Sequence, residues 1–371
     1  MDFKLSDEQE EFRKLAREFG AREMAPAAES CDKHPERAEG IYKKVFESGL
    51  MNVQIPEVNG GLGLPLWDAA LIAEGLAQGC SSIYSAIEYS ALAQIPILVA
   101  GNLEQQKRYF EPLVERVAFA GVSNDALFGK KCWITAAKKN DDYILNGPCA
   151  QVHNFEKADW FIVSAVDKIS GDSQYFVVAK ETPGFVLKEK HFSVGRKCSA
   201  TCSAELNNVK LSPEHLLCSE RNGICRQKIE TSAEILTASG MVGVAQAAFE
   251  NAKRYANERH TFGKPIAQHQ GLAFMMADMA KDIEAARELT WQAAILFDKG
   301  GSSSRAGLAA LTFASEMVMR VTTDAVQVYG GYGYSKEYPV EKLMRDAKTY
   351  QCFIPPSLEL KAAMGRELLL V

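Results

Sequence analysis

The chain has 371 residues, enough for two or three packed units with substantial cores. Hydrophobic residues make up 47% and charged residues 24%, the balance of an ordinary globular chain. A net charge of -5 provides no basic field to recruit nucleic acid, and no apolar run approaches the roughly 18 residues of a membrane span.

The opening MDFKLSDEQEEF is acidic and amphipathic. It has neither the basic region nor the apolar core of a signal peptide, so a cytoplasmic location is expected. Ser6 followed by Gln9 is a capping-box pattern, and Phe12, Leu15, Ala16 and Phe19 then recur at helical spacing. A glycine-rich loop, IPEVNGGLGL (55–64), precedes a second amphipathic helix from about Trp67. Residues 1–117 therefore read as a helical unit. Residues 118–225 change character: DDYILNGPC, DWFIVSAVD, QYFVVAKE, GFVLKEK and SAELNNVKLS are short, β-branched or aromatic, and separated by turn residues. They predict a small antiparallel β domain.

From 226 to 371 the helical pattern returns. Ala238, Ser239, Gly240, Gly243 and Ala245 form a run of small residues, which predicts close helix packing or a subunit contact. A second long helix runs to the break at 300–304, and a third continues to about Val328. The order is helices, a β unit, then a helical bundle. Nine cysteines lie scattered without a CxxC pair or zinc spacing, so no metal is expected and the thiols read as reduced and mostly buried.

Three stretches carry a wider likeness. NERHTFGKPIAQHQ (257–270), DAVQVYGGYGYSKEYPVEKLMRDAK (324–348) and IPEVNGGLGL together resemble the acyl-CoA dehydrogenase family, with TPGF (182–185), VGRKCSAT (194–201) and NNVKLSPEHLL (207–217) fitting its β domain in order. The resemblance spans nearly the whole chain. It implies a mainly α fold with a central β domain: an N-terminal helical domain, a small antiparallel β domain and a C-terminal four-helix bundle. It also implies FAD, an acyl thioester on CoA or an acyl carrier protein, an electron-accepting flavoprotein as partner, and a homodimer or homotetramer. Arg259, Phe262, Gln270, Gln327, Gly330 and Gly331 match residues that reach the FAD of a neighbouring subunit. Arg259 can meet a pyrophosphate through paired N–H donors, and the glycines permit close backbone approach.

The chain also departs from the family. GVSNDALFG (121–129) stands where members carry a longer Thr-Glu-Pro…Gly-Ser-Asp segment, leaving Ser123 at the threonine position. QVH, Gln151 to His153, replaces a Trp-Ile-Thr that flanks the flavin ring. The catalytic glutamate aligns with Ile354, and the alternative base position aligns with Ala233. Glu230 and Glu234, on the helix carrying Ala233, are the candidate replacement acids, with Glu359 a weaker one. His153 is the candidate acid–base group beside the flavin. Cys352 reads as packing.

Two functions follow. The first is an FAD-linked oxidoreductase acting on an acyl thioester without ordinary α,β-desaturation, for example by oxidising a hydroxyacyl group for an extender unit. The second is a non-catalytic partner subunit that completes the FAD site of a paralogous acyl-CoA dehydrogenase in a heteromer.

Overall fold

Helix α1 (Asp7–Phe19) starts where the capping box places it. Ser6 Oγ accepts from the Gln9 N–H at 3.2 Å, and the Ser6 N–H donates to Gln9 Oε1 at 3.1 Å. The structure is a computed structural model that describes residues 4–128, 132–218, 223–301 and 303–369. Gly129 of the shortened 121–129 stretch and the Cys218 thiol lie outside what is described.

Four more helices complete the first third: α2 (Ala28–Lys33), α3 (Glu39–Glu47), α4 (Leu66–Ala100) and α5 (Leu103–Glu115). Helix α4 runs through the centre of the protein. The expectation that no run approaches a membrane span is corrected here: α4 is long and apolar enough by length and composition, and 78% of its most apolar window is buried against the rest of the chain, as in a core helix. It is broken at Cys80, whose φ of -163° and ψ of 107° are extended. Asp298 caps its start, accepting from the Leu66 and Trp67 N–H groups at 2.9 Å each.

The β unit contains β1 (Phe119–Ser123), β2 (Thr135–Lys139), β3 (Asp142–His153), β4 (Ala158–Asp167), β5 (Ser173–Ala179), β6 (Phe185–Lys190), β7 (Thr201–Leu211) and β8 (Leu216–Cys218). They join in one sheet, ordered β6-β7-β3-β1-β4-β5-β8, with β2 pairing β3 and β4. The expectation of a purely antiparallel domain is corrected here: β1 and β2 each pair with β4 in parallel. Hairpin spacing in the sequence reveals only local antiparallel pairs. A parallel partner is supplied by chain that returns from elsewhere.

Helix α6 (Ile224–Glu258) is followed by a hairpin, β9 (His260–Thr261) and β10 (Lys264–Pro265). Three long helices follow or close the bundle: α7 (Gln270–Asp298), α8 (Ser304–Tyr329) and α9 (Pro339–Phe353), with α10 (Ser357–Leu369) last. The small-residue run serves packing within this chain. A Cβ on Gly243 would stand 2.3 Å from the Glu74 carbonyl oxygen of α4, and one on Gly240 would meet the Tyr350 hydroxyl of α9 at 2.3 Å.

Because the Glu74 carbonyl belongs to helix backbone, it cannot move aside cheaply. Gly243→Ala should therefore destabilise the fold by about 1–3 kcal/mol despite its better helix propensity, as denaturant unfolding would measure.

Candidate functional site

The buried centre of the protein holds a charge. Arg196 lies in the turn before β7 with a left-handed backbone, φ 49° and ψ 44°, and its side chain is fully buried. Its backbone N–H donates to Asp346 Oδ1 at 2.8 Å, which fixes that conformation. The guanidinium donates to Tyr89 Oη at 3.2 Å and forms an ion pair with Glu88, both on α4. It lies 3.7 Å from the centroid of the Tyr350 ring, and Tyr350 donates its hydroxyl to Glu88 at 3.0 Å. Burial pushes the Glu88 carboxyl up to about 7 against the pull of Arg196 and the Tyr350 hydrogen bond. Burial also works against the Arg196 charge, but Glu88 and the two tyrosines more than offset it.

His153 ends β3 beside this cluster. Its Nδ1 shares a hydrogen with Thr201 Oγ1 at 3.0 Å. Its ring stacks on Tyr89 with centroids 3.9 Å apart and planes 11° apart, and it meets Phe353 edge-on at 5.0 Å. Phe353 in turn packs edge-on against Tyr89 at 4.7 Å and Phe128 at 5.0 Å. Both base positions, Ile354 and Ala233, belong to the same packed apolar cluster as Tyr89, Phe128 and Phe353.

This packing is the fit test for a flavin ring in the chain's own site. Ser123 is 0%, His153 3%, Phe353 1% and Ile354 2% exposed, so the side chains that the resemblance sets beside a ring are closed to solvent. Ser123 Oγ is buried without a partner, a polar remnant facing packed side chains. The residues present do not fit the group there.

The replacement acids divide. Glu230 is held by Arg226 at 2.6 Å and is a solvated ion pair, and Glu359 is exposed. Glu234 is 6% exposed and its Oε2 has no hydrogen-bond partner. It borders a cavity of about 310 Å³ shared with Phe128, Leu308 and Pro355. Burial, then the neighbouring Glu230 and Glu367 charges, raise its carboxyl well above the ordinary carboxylate range. Cys352, near the C-terminal end of α9, is exposed, correcting its reading as packing.

The other sequence-predicted residues gather on the outside. Arg259 follows α6, and its carbonyl accepts from the Ile266 N–H at 2.8 Å, folding the hairpin back. Phe262 at the hairpin tip is 98% exposed with φ 49°, a strained position for a side chain of that size. Gln270 starts α7, Gln327 ends the exposed face of α8, and Gly330 and Gly331 follow it; all are exposed. Tyr255 of α6 stacks on Tyr329 of α8 at 4.1 Å, and Arg259 lies 5.9 Å over the Tyr332 ring, so the ends of the two helices share one face. A Cβ at Gly263, Gly330 or Gly331 would meet nothing, so this backbone is open to an outside partner.

Two family models match: the acyl-CoA dehydrogenase N-terminal domain over residues 6–116 and its C-terminal domain over 232–354. An acyl-CoA dehydrogenase from Bacillus subtilis is 35% identical over 359 residues, covering 94% of both chains. A short-chain-specific acyl-CoA dehydrogenase from Megasphaera elsdenii is 36% identical, covering 95% of this chain and 96% of that one. The chain belongs to the acyl-CoA dehydrogenase family. The butyryl-CoA dehydrogenase structure from M. elsdenii superposes with a TM-score of 0.89 at 31% identity over the full length of both chains.

Sequence reasoning about this acyl-CoA dehydrogenase relative missed Glu88, Tyr89, Arg196 and Tyr350. One signal was available: Glu88 is a lone acid within the otherwise uncharged run from Cys80 to Ala100, and such an acid needs a partner. The partner's identity was not readable, because Arg196 is 108 residues away.

Two outcomes are expected. Arg196→Met leaves Glu88 buried without its partner and should cost about 3–5 kcal/mol in denaturant unfolding. Glu234 binds a proton in the folded chain at pH values where the unfolded chain has lost it, so its contribution to stability falls as pH rises above about 4. Glu234→Gln should therefore unfold at a higher temperature than the parent at pH 7, with the difference vanishing below about pH 4.

Proposed function

We propose that this chain is a non-catalytic partner subunit that completes the FAD site of a paralogous acyl-CoA dehydrogenase. The observation that carries the reading is the Tyr89–His153 stack at 3.9 Å, closed by Phe353 at 5.0 Å. It fills the chain's own ring site with side chains. Neither base position holds an acid, since Ile354 and Ala233 are apolar and packed. The outward residues Arg259, Phe262, Gln270, Gln327, Gly330 and Gly331 stay exposed, as a face donated to a neighbour's cofactor requires. FAD, when bound in the paralogue, supplies hydride acceptance. This chain's part is to bind its pyrophosphate through Arg259 and to shield it from water.

A second reading keeps support from one observation. The buried Glu234, its Oε2 unpartnered and its carboxyl raised above the ordinary range, beside a 310 Å³ cavity favours an oxidoreductase acting on a hydroxyacyl thioester carried by CoA or a carrier protein. There Glu234 and His153 would handle the proton of an O–H group.

The decisive measurement is an absorbance spectrum with a subunit count, for the chain alone and purified with its paralogue. The partner reading expects a colourless chain alone and one FAD per pair of unlike chains. One FAD per chain in a homo-oligomer would overturn it, and bleaching of that flavin by a hydroxyacyl thioester, lost in Glu234→Gln, would establish the second reading. In the heteromer, Arg259→Ala should weaken FAD binding roughly 10- to 150-fold without unfolding this chain, the usual loss for a charge-assisted phosphate contact.

A further inference from the structure

A cavity of about 740 Å³ opens between α3 and the sheet, apart from the His153 cluster and from the outward Arg259 face. Its size is that of a small-molecule site, and it lies between two packed units, where such sites concentrate. One wall is aromatic: Tyr42 and Phe119 meet edge-on at 5.0 Å, with Phe46 beside them.

Of the charged groups lining this cavity, Lys157 and Lys197 are the deepest, while Lys43 and Lys190 lie out with the acids. The Lys157 side chain is 15% exposed and sits 5.4 Å over the Tyr42 ring, while its partner Glu39, at 3.4 Å, is 75% exposed. Lys197 is likewise drawn in, bonded to the Asp32 carbonyl at 3.1 Å and to its carboxylate at 3.2 Å. Glu36 and Glu47 stand out in solvent at the rim. An ammonium group half-removed from water, with only a long contact to a solvated carboxylate, gains from a nearer anion. The rim acids gain little from a cation, because water already satisfies them.

The lysines are also pre-positioned. Asn154, with φ 61°, donates to the Ala86 carbonyl at 2.8 Å and the Ala120 carbonyl at 3.0 Å. Its own carbonyl accepts from the Lys157 N–H at 3.0 Å, so the turn carrying Lys157 is fastened to α4 and β1. The Lys197 N–H donates to Ser82 Oγ at 3.0 Å. Fixing these groups in advance lowers the ordering cost of binding.

We propose that this cleft binds a small aromatic carboxylate, its ring against Tyr42, Phe46 and Phe119 and its carboxylate on Lys157 and Lys197. The proposal is independent of whether the chain holds FAD.

The test uses the full chain in its native assembly, titrated by calorimetry with 3-phenylpropionate and with 3-phenylpropylamine, which share a body and differ in charge. Saturable binding of the acid is expected, with the amine weaker by tenfold or more. Lys157→Gln should weaken the acid by about tenfold, and Lys210→Gln, on an exposed strand edge elsewhere, should leave it unchanged. Glu39→Gln removes the competing carboxylate and should tighten binding, which keeps the test open should Lys157→Gln fail to fold. Equal binding of acid and amine, no saturable binding of the acid, or an affinity indifferent to both Lys157→Gln and Glu39→Gln would overturn the proposal.

Discussion

The Arg196–Glu88 ion pair is the interaction on which the rest of this structure depends. A charge buried this deeply is tolerated only when a partner and further hydrogen bonds replace water. Here the partners come from separate parts of the chain: Glu88 and Tyr89 from α4, Tyr350 and Asp346 from α9, and Arg196 itself from the sheet. Meeting that requirement sets the distance of α9 from α4 and the position of the sheet against both. The close glycine contacts of α6 with α4 and α9 tighten the same arrangement.

That arrangement decides what happens at the family's usual reaction centre. Tyr89 is held by Arg196 at one end and stacks on His153 with its ring face. Phe353, one turn beyond Tyr350 on the same helix, is brought against both. Tyr89, His153 and Phe353 are thereby packed against one another, and Ile354 and Ala233 lie among apolar neighbours. The outward face has no such coupling. Its backbone turns are made locally by the hairpin and by the glycines after α8, while the Tyr255–Tyr329 stack joins the ends of α6 and α8 beneath it.

Much of the chain was readable before the fold was known. The capping box at Ser6, the strand segments of the β unit, the three long helices after residue 223 and the NERHTFGKPIAQHQ motif are local features, carried by propensity, spacing and contiguous motifs. Glu230 and Glu234 could not be separated by sequence, because both lie on one helix. The Arg226–Glu230 pair is an i,i+4 contact within that helix, whereas only the packing around Glu234 leaves it buried with its carboxyl raised above the ordinary range.

The sequence by itself determined the family and the order of units, since each is written in residues close together along the chain. The tertiary structure alone decided that β1 and β2 pair in parallel with β4, that the small-residue run serves packing within the chain, and that Tyr89 closes over His153. Those outcomes depend on groups scores of residues apart. A buried charge chooses its partners by desolvation and geometry, and neither is expressed in the spacing of neighbouring residues.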